Sequence, residues 1–222
     1  ADIRIDGAGK KVTRSDNCRV SDLSVSSDNL TFTYEAKSLP YPIDTSYYDN
    51  EKHTQADALS VIPFMDEMNY EGLSVSGLSD GYYGLTIGGE FIGRFTAREL
   101  ERGINMALLQ NTPQYKQAMK IRQMNEERWL KERKMREFYW VEYNLMRKTG
   151  MLWACNEAAV DTLRKYRPHD IFLQWNGDLW LQYMHKGIRE DCVNEQQDLV
   201  NQIYEQNKPI PLRIEINKIT QL

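Results

Sequence analysis

The stretch Glu99–Pro113, ELERGINMALLQNTP, decides the fold. Thr96 followed by Glu99 forms a T-x-x-E capping box, in which a hydroxyl and a carboxylate satisfy two of the amide hydrogens that a helix start leaves open. The pattern predicts a helix from there through about Leu109, with Ile104 to Leu109 as a buried face and Gly103 allowing close packing. Asn111-Thr112-Pro113 then stops one helix and starts the next. Thr112 can cap, and Pro113 suits the first helical position, where no amide hydrogen is needed.

Before this junction the chain reads as β. RIDGAGKKV, CRVSDLSVSSDNLTFTYEAKSLPYPI and LSVSGLSDGYYGLTIGGEFIGRF alternate apolar and polar residues between Gly, Asn and Asp turns, the signature of half-buried antiparallel strands. Leu30, Phe32 and Tyr34 share a face, as do Tyr83, Leu85 and Ile87. Asp80-Gly81 and Gly88-Gly89 supply turns with positive φ. Residues 41–69, rich in Pro, aromatics and acids, interrupt the strands as a long loop that packs its own aromatics, with an excursion onto a neighbour or a functional loop as the alternatives.

After the junction the period is helical. No Gly or Pro interrupts Pro113 to Lys148, so one helix of roughly 54 Å is predicted. Tyr115, Ala118, Met119, Met124, Trp129, Leu130, Phe138, Val141 and Leu145 approximate one apolar stripe along it, a core pattern. Met151–Tyr166 reads as a third helix and Arg189–Asn207 as a fourth; PIPLRIEINKI reads as a closing extended segment. The expected class is α+β: an N-terminal antiparallel β-sandwich-like sheet over 1–95, then a helical region over 96–222 with a closing strand near 210–216.

Composition bounds the function. The chain has 222 residues, 27% of them charged, and a formal net charge of -4, with a mean hydropathy of -0.64. These values oppose a membrane span and a general attraction to nucleic acid. Cys18, Cys155 and Cys192 lack the C-x-x-C spacing of zinc or redox sites, which leaves one disulfide plus a thiol, or three thiols, open. The chain begins without Met or a leader, consistent with a removed signal peptide or a start within a larger polypeptide.

No catalytic motif is evident. The last serine is Ser79, and GLSVSG at Gly72–Gly77 is one residue too long for G-x-S-x-G and lies in a strand pattern. His53, His169 and His185 lack the helical spacing of a metal pair. QWNGDLW at Gln174–Trp180 has Leu179 where a Gly-Asp-Ser block needs its nucleophile. Asp66 with Glu67, and Glu190 with Asp191, are adjacent and so point apart. No metal or cofactor is expected. Trp175 and Trp180, in a short Gly-containing segment, are the candidate ligand platform.

The run LSVSGLSDGYYGLTIGGEFIGRFTARELERGINMALLQNTPQYKQA, Leu73–Ala118, resembles the C-terminal region of bacterial SGNH (GDSL-like) hydrolases, as do SLPYPID at Ser38–Asp44 and NKPIPLRIEI near the end. The resemblance implies an exported, periplasmic or extracellular ester hydrolase acting on carbohydrate or lipid esters. The family's nucleophile block, oxyanion residues and Asp-x-x-His block have no counterpart here, and Asn105 is not the oxyanion Asn. The resemblance therefore implies a non-catalytic C-terminal module, inactive alone, whose partner is an SGNH catalytic domain upstream or on another chain. It would border that domain's substrate cleft, with carbohydrate as a further partner. The alternative is a free-standing glycan-binding or protein-interaction module.

Overall fold

The computed structural model describes residues 1–45, 47, 48 and 53–219, without the side chains of Tyr47, Tyr48 and His53. It is a mixed α+β structure with a strand-rich first part, a long helix, shorter helices and a C-terminal strand. The chain divides into two units, Ala1–Arg122 with Gln206–Leu222, and Gln123–Glu205.

The first unit contains β1 (Asp2–Asp6), β2 (Lys11–Asp16), β3 (Cys18–Val25), β4 (Asn29–Ala36), the short β5 (Tyr47–Tyr48) and β6 (His53–Thr54), and α1 (Phe64–Glu67). β7 (Gly72–Ser76), β8 (Tyr82–Ile87), β9 (Glu90–Thr96), α2 (Ala97–Arg102) and β10 (Ile104–Asn105) follow, and β11 (Leu212–Ile219) closes it. One sheet has the order β10-β7-β1-β2 and the other β3-β4-β11-β8-β9. The expectation of antiparallel pairing fails at one place: β1 and β7 are parallel, with Ile3 beside Leu73 and Ile5 beside Val75. Sixty-odd residues of intervening chain permit this, since a parallel pair needs a long crossover that a tight turn cannot supply.

β11 lies inside its sheet, between β4 and β8. Ile214 pairs with Phe32 and Ile87, and Ile216 with Leu30 and Leu85. These side chains, with Ile3, Ile5, Leu73, Val75 and Leu100, form one buried core drawn from both sheets. Alternation put them on one face; sequence order could not say that the last strand would be a central one.

The opening stretch departs from its expected helix. The capping box forms as expected, with Thr96 Oγ1 accepting from the Glu99 amide at 3.2 Å and Glu99 Oε2 accepting from the Thr96 amide at 2.7 Å. The Thr96 amide foremost, and then the Thr96 hydroxyl, which donates to Glu99 Oε2 at 2.7 Å, hold the Glu99 carboxyl below its ordinary pKa. But α2 stops at Arg102, because Gly103 takes φ +94, a conformation an L side chain rarely adopts. The next residues pair as β10 with β7, and a 3-10 turn covers Met106–Leu108.

Asn105 fixes this corner. Its amide nitrogen donates to Met65 O at 2.9 Å and Asn69 O at 3.2 Å, and its side-chain oxygen accepts from the amides of Glu71 at 2.9 Å and Ala107 at 3.1 Å. The expected restart holds: Thr112 Oγ1 accepts from the Tyr115 amide, and α3 begins at Pro113. The described part of the 41–69 loop packs Tyr41 edge-on against Phe64 at 5.6 Å, while Ile43, Met65 and Ala107 form a small core.

α3 (Pro113–Val141) continues into the second unit and ends in a wider π turn, Glu142–Met146. α4 (Glu157–Tyr166) starts later than the expected Met151 because Asn156 is its cap, accepting from the Ala159 amide at 3.0 Å. α5 (Ile171–Tyr183) was hidden by Gly177 in its middle. Arg167 lies across that glycine, with its Nε 3.1 Å from where a Cβ would stand, and holds Asp178 through two bonds of 2.7 Å. α6 (Lys186–Gln206) completes the unit. Its core joins Met135, Phe138, Val141, Met146, Leu163, Leu173, Trp180 and Cys192. No helix among the described residues is long and apolar enough to cross a membrane.

Candidate functional site

Two polar pairs bear on hydrolytic chemistry. Ser79 Oγ accepts from Lys218 Nζ at 2.6 Å and lies 3.1 Å from the Tyr83 hydroxyl. An ammonium that donates to the hydroxyl has no lone pair to remove its proton, and the Tyr83 O–H donates to Ser79 O at 2.9 Å. The group clamps the β7–β8 turn. Cys155 Sγ stands 3.4 Å from His185 Nδ1 at an exposed place, with no third group to orient the imidazole. The three cysteines are free thiols, and no described group of His, Cys, Asp and Glu could hold a metal. His169 borders a cavity with Tyr166 and Asp170; His53 lies outside the described side chains.

The helical unit carries the better site. Glu142, the first residue of the π turn, is 1% exposed. Its Oε1 accepts the Trp180 indole N–H at 2.8 Å, and its Oε2 accepts the backbone N–H of Trp153 at 2.8 Å. π turns interrupt a helix at a cost and recur at functional sites. Here the turn puts Glu142, Leu145 and Met146 inside.

Trp153 is held in a left-handed conformation, φ +63. For a bulky L residue this costs about 1–2 kcal/mol, so the surroundings must impose it. Its ring meets Tyr139 and Tyr143 edge-to-face, each at 5.9 Å, and all three rings are about half-exposed. Tyr139 also lines a cleft of about 540 Å³ with Met135, Lys186, Arg189, Glu190 and Asp191.

The next residue feeds a second aromatic surface. Trp140 lies 5.2 Å from Phe172, and Phe172 meets Trp175 edge-on at 5.5 Å. Trp140 also borders a cavity of about 350 Å³ with Lys148, Tyr166, His169, Asp170 and Leu173.

The candidate platform of Trp175 and Trp180 is therefore divided. Trp175 is 67% exposed and Trp180 fully buried. Five residues apart on α5, they project from well-separated sides, and a buried indole offers no face to a ligand. Trp180 instead helps to hold Glu142. Tyr139, Tyr143 and Trp153 were left unremarked; the signal available was the i, i+4 spacing of the two tyrosines followed by a tryptophan just after Gly150.

Comparison with known proteins found a family model and a solved structure to which this chain is similar. A family model described as the diltiazem deacetylase C-terminal helical domain matches residues 119–208. The chain is also similar to the solved structure of a gut microbial diltiazem-metabolizing enzyme. The TM-score is 0.92 with 35% identity, over 99% of this chain and 50% of that one. The chain thus spans about half the length of that enzyme. No curated protein sequence matches it.

These matches correct the expected SGNH/GDSL assignment, because neither carries that description. The reading as a non-catalytic module of such a hydrolase, or as a free-standing binding module, falls with it, since nearly the whole chain overlays part of a drug-metabolizing enzyme. The physical reason is plain in the fold: the motifs that carried the resemblance are a strand, turns, a cap and a corner asparagine, all of which specify architecture.

Proposed function

We propose that this chain is part of an ester hydrolase of the deacetylase type, and that its helical unit presents aromatic surface to the non-acyl part of the substrate. The observation that carries this reading is the 35% identity over 99% of the chain to a diltiazem-metabolizing enzyme. The match of residues 119–208 to the model of a deacetylase's helical domain agrees with it. Acyl transfer needs a nucleophile, a base and donors for the oxyanion. Among the described residues no serine hydroxyl is bonded to an imidazole, so the activity proposed is that of the whole protein, to which this chain contributes substrate contacts.

Such a division has a physical rationale. An acetyl group offers little surface, so discrimination among acetate esters falls on the alcohol portion, where binding energy remote from the reacting carbonyl can be used. Half-exposed tryptophan and tyrosine provide large contact areas with few rotatable bonds. Trp175 with Phe172 is a second such surface.

The test is acetate release from diltiazem by the natural polypeptide that contains this chain, followed by mass spectrometry. Deacetylation is expected. Failure to release acetate from diltiazem and from simpler aryl acetates would overturn the reading.

A further inference from the structure

Trp153 combines features that a purely structural role does not explain. A turn that needs positive φ is satisfied at least cost by glycine, as nearby Gly150 is at φ +75. At Trp153 the chain instead places its bulkiest residue in the same region and leaves the ring 47% exposed. A buried carboxylate, Glu142, holds the backbone there. The result is a rigid indole flanked by two tyrosines whose planes stand at 86° and 87° to it.

The neighbouring charges select among ligands. In the adjoining cleft Lys186 is paired with Glu190 at 3.1 Å. Arg189 donates to the carbonyl oxygens of Tyr183 and Met184, and its guanidinium lies 4.8 Å from the centre of the Phe138 ring. Arg189 keeps its charge, but it and Lys186 are both engaged by protein groups, whereas the Asp191 carboxylate, which lines the same cleft, makes no hydrogen bond or ion pair among the described residues. Aromatic faces are electron-rich and attract cations, most strongly where water is partly excluded. Tyr139 lines the same cleft as this carboxylate, so the ring cluster and Asp191 together favour a cation over a neutral sugar or an anion.

We propose that Trp153, Tyr139 and Tyr143 form a binding site for an organic ammonium ion that carries an aromatic ring, with Asp191 as its counter-ion. Glu142 is a positioning residue: it touches no ligand and fixes Trp153. The proposal rests on the hydrolase reading only in assigning the bound ion a role, as the amine-bearing alcohol half of an ester. Binding itself requires no turnover.

Benzyltrimethylammonium, which has no ester, is a direct probe, and benzyl alcohol is its neutral control; both are followed by titration calorimetry or ligand-observed NMR on the intact protein. The wild type is expected to bind the cation more tightly than the alcohol. Trp153→Ala and Trp153→Gly should each weaken cation binding about 10-fold. The glycine variant should do so with no fall in melting temperature, because it relieves the backbone. Asp191→Asn should weaken the cation several-fold and leave benzyl alcohol unchanged. If Trp153→Ala does not fold, Asp191→Asn and Tyr143→Ala decide the matter on the same readout.

Absence of wild-type binding, or cation affinity unchanged in the folded variants, would overturn the site. Probe binding without any acetate release would overturn the hydrolase reading and leave the site standing.

Discussion

Each unit of the molecule buries a glutamate, and the two are used differently. In the strand-rich unit Glu71 accepts from the Tyr34 hydroxyl at 2.7 Å and from Gln114 Nε2 at 3.3 Å, all three side chains being buried. In the helical unit Glu142 accepts from the Trp180 indole and the Trp153 amide. Glu71 ties core to core, linking the residue just before β7 to β4 and the first turn of α3. Glu142 ties core to surface, with one bond ending on a fully buried ring and the other on the backbone of an exposed, strained one. A buried polar group that only joins core elements speaks of architecture; one that reaches out to hold strain at the surface speaks of a site.

Glu142→Ala is expected to do the greatest damage, about 3 kcal/mol in urea unfolding, because it leaves two buried or half-buried N–H donors without acceptors and opens a cavity. A loss below about 1 kcal/mol would show that water replaces the carboxylate and that Glu142 holds nothing. Asn105→Ala should follow at about 2–3 kcal/mol, since four hydrogen bonds at the β7–β10 corner go with one side chain. A surface-like loss there would break the view that the strand-rich unit's polar groups are structural ties.

Glu71 gives a smaller and opposite effect. Burial, its largest influence, raises its pKa above the ordinary value, against the bonds from Tyr34 and Gln114 that lower it. The same burial pushes the Tyr34 phenol upward, with the nearby Glu71 charge as the next cause. The folded state therefore holds a proton that the unfolded state has released, so stability falls as pH rises from about 4.5 through the raised folded value and stays lower above it. Glu71→Gln should remove that fall.

The neutral amide also keeps the buried pair, since its carbonyl oxygen can still accept from the Tyr34 hydroxyl. A gain of about 1 kcal/mol at pH 7, shrinking below pH 4.5, is expected from melting curves. A loss at neutral pH would mean that the carboxylate is charged and well paired. Least of all, Trp153→Gly should leave the melting temperature level or slightly raised, relief of about 1 kcal/mol of strain offsetting lost ring contacts.

The two units were also unequally legible in sequence. In the strand-rich unit, period-two alternation gave the buried faces of β4, β7 and β8, and the Thr96–Glu99 box and Thr112-Pro113 gave two helix starts to the residue. These are local signals with local causes. Gly103 was read as a packing residue because nothing local distinguishes a helix glycine from one at φ +94; the pairing of Ile104 with Leu73, which decides it, is a tertiary event. Central placement of β11 is likewise set by partners far away in sequence.

In the helical unit the losses were greater. Gly177 masked α5, because its reason is the side chain of Arg167 lying over it. Trp180 was taken for a platform because its aromatic character is legible and its burial is not. The candidate site depended on a π turn and a left-handed tryptophan, neither of which has a residue code. The long helix itself was legible, since nothing in Pro113–Met146 breaks it.

The contrast between the two glutamates is tested most directly by measuring benzyltrimethylammonium affinity in Glu142→Gln and Glu71→Gln side by side. At position 142 a glutamine can still accept from the Trp180 indole, but its NH₂ faces the Trp153 amide and cannot. Affinity should drop severalfold in Glu142→Gln while the protein stays folded, and should be unchanged in Glu71→Gln. Equal affinities in the two variants would contradict the claim that Glu142 holds Trp153 for a ligand.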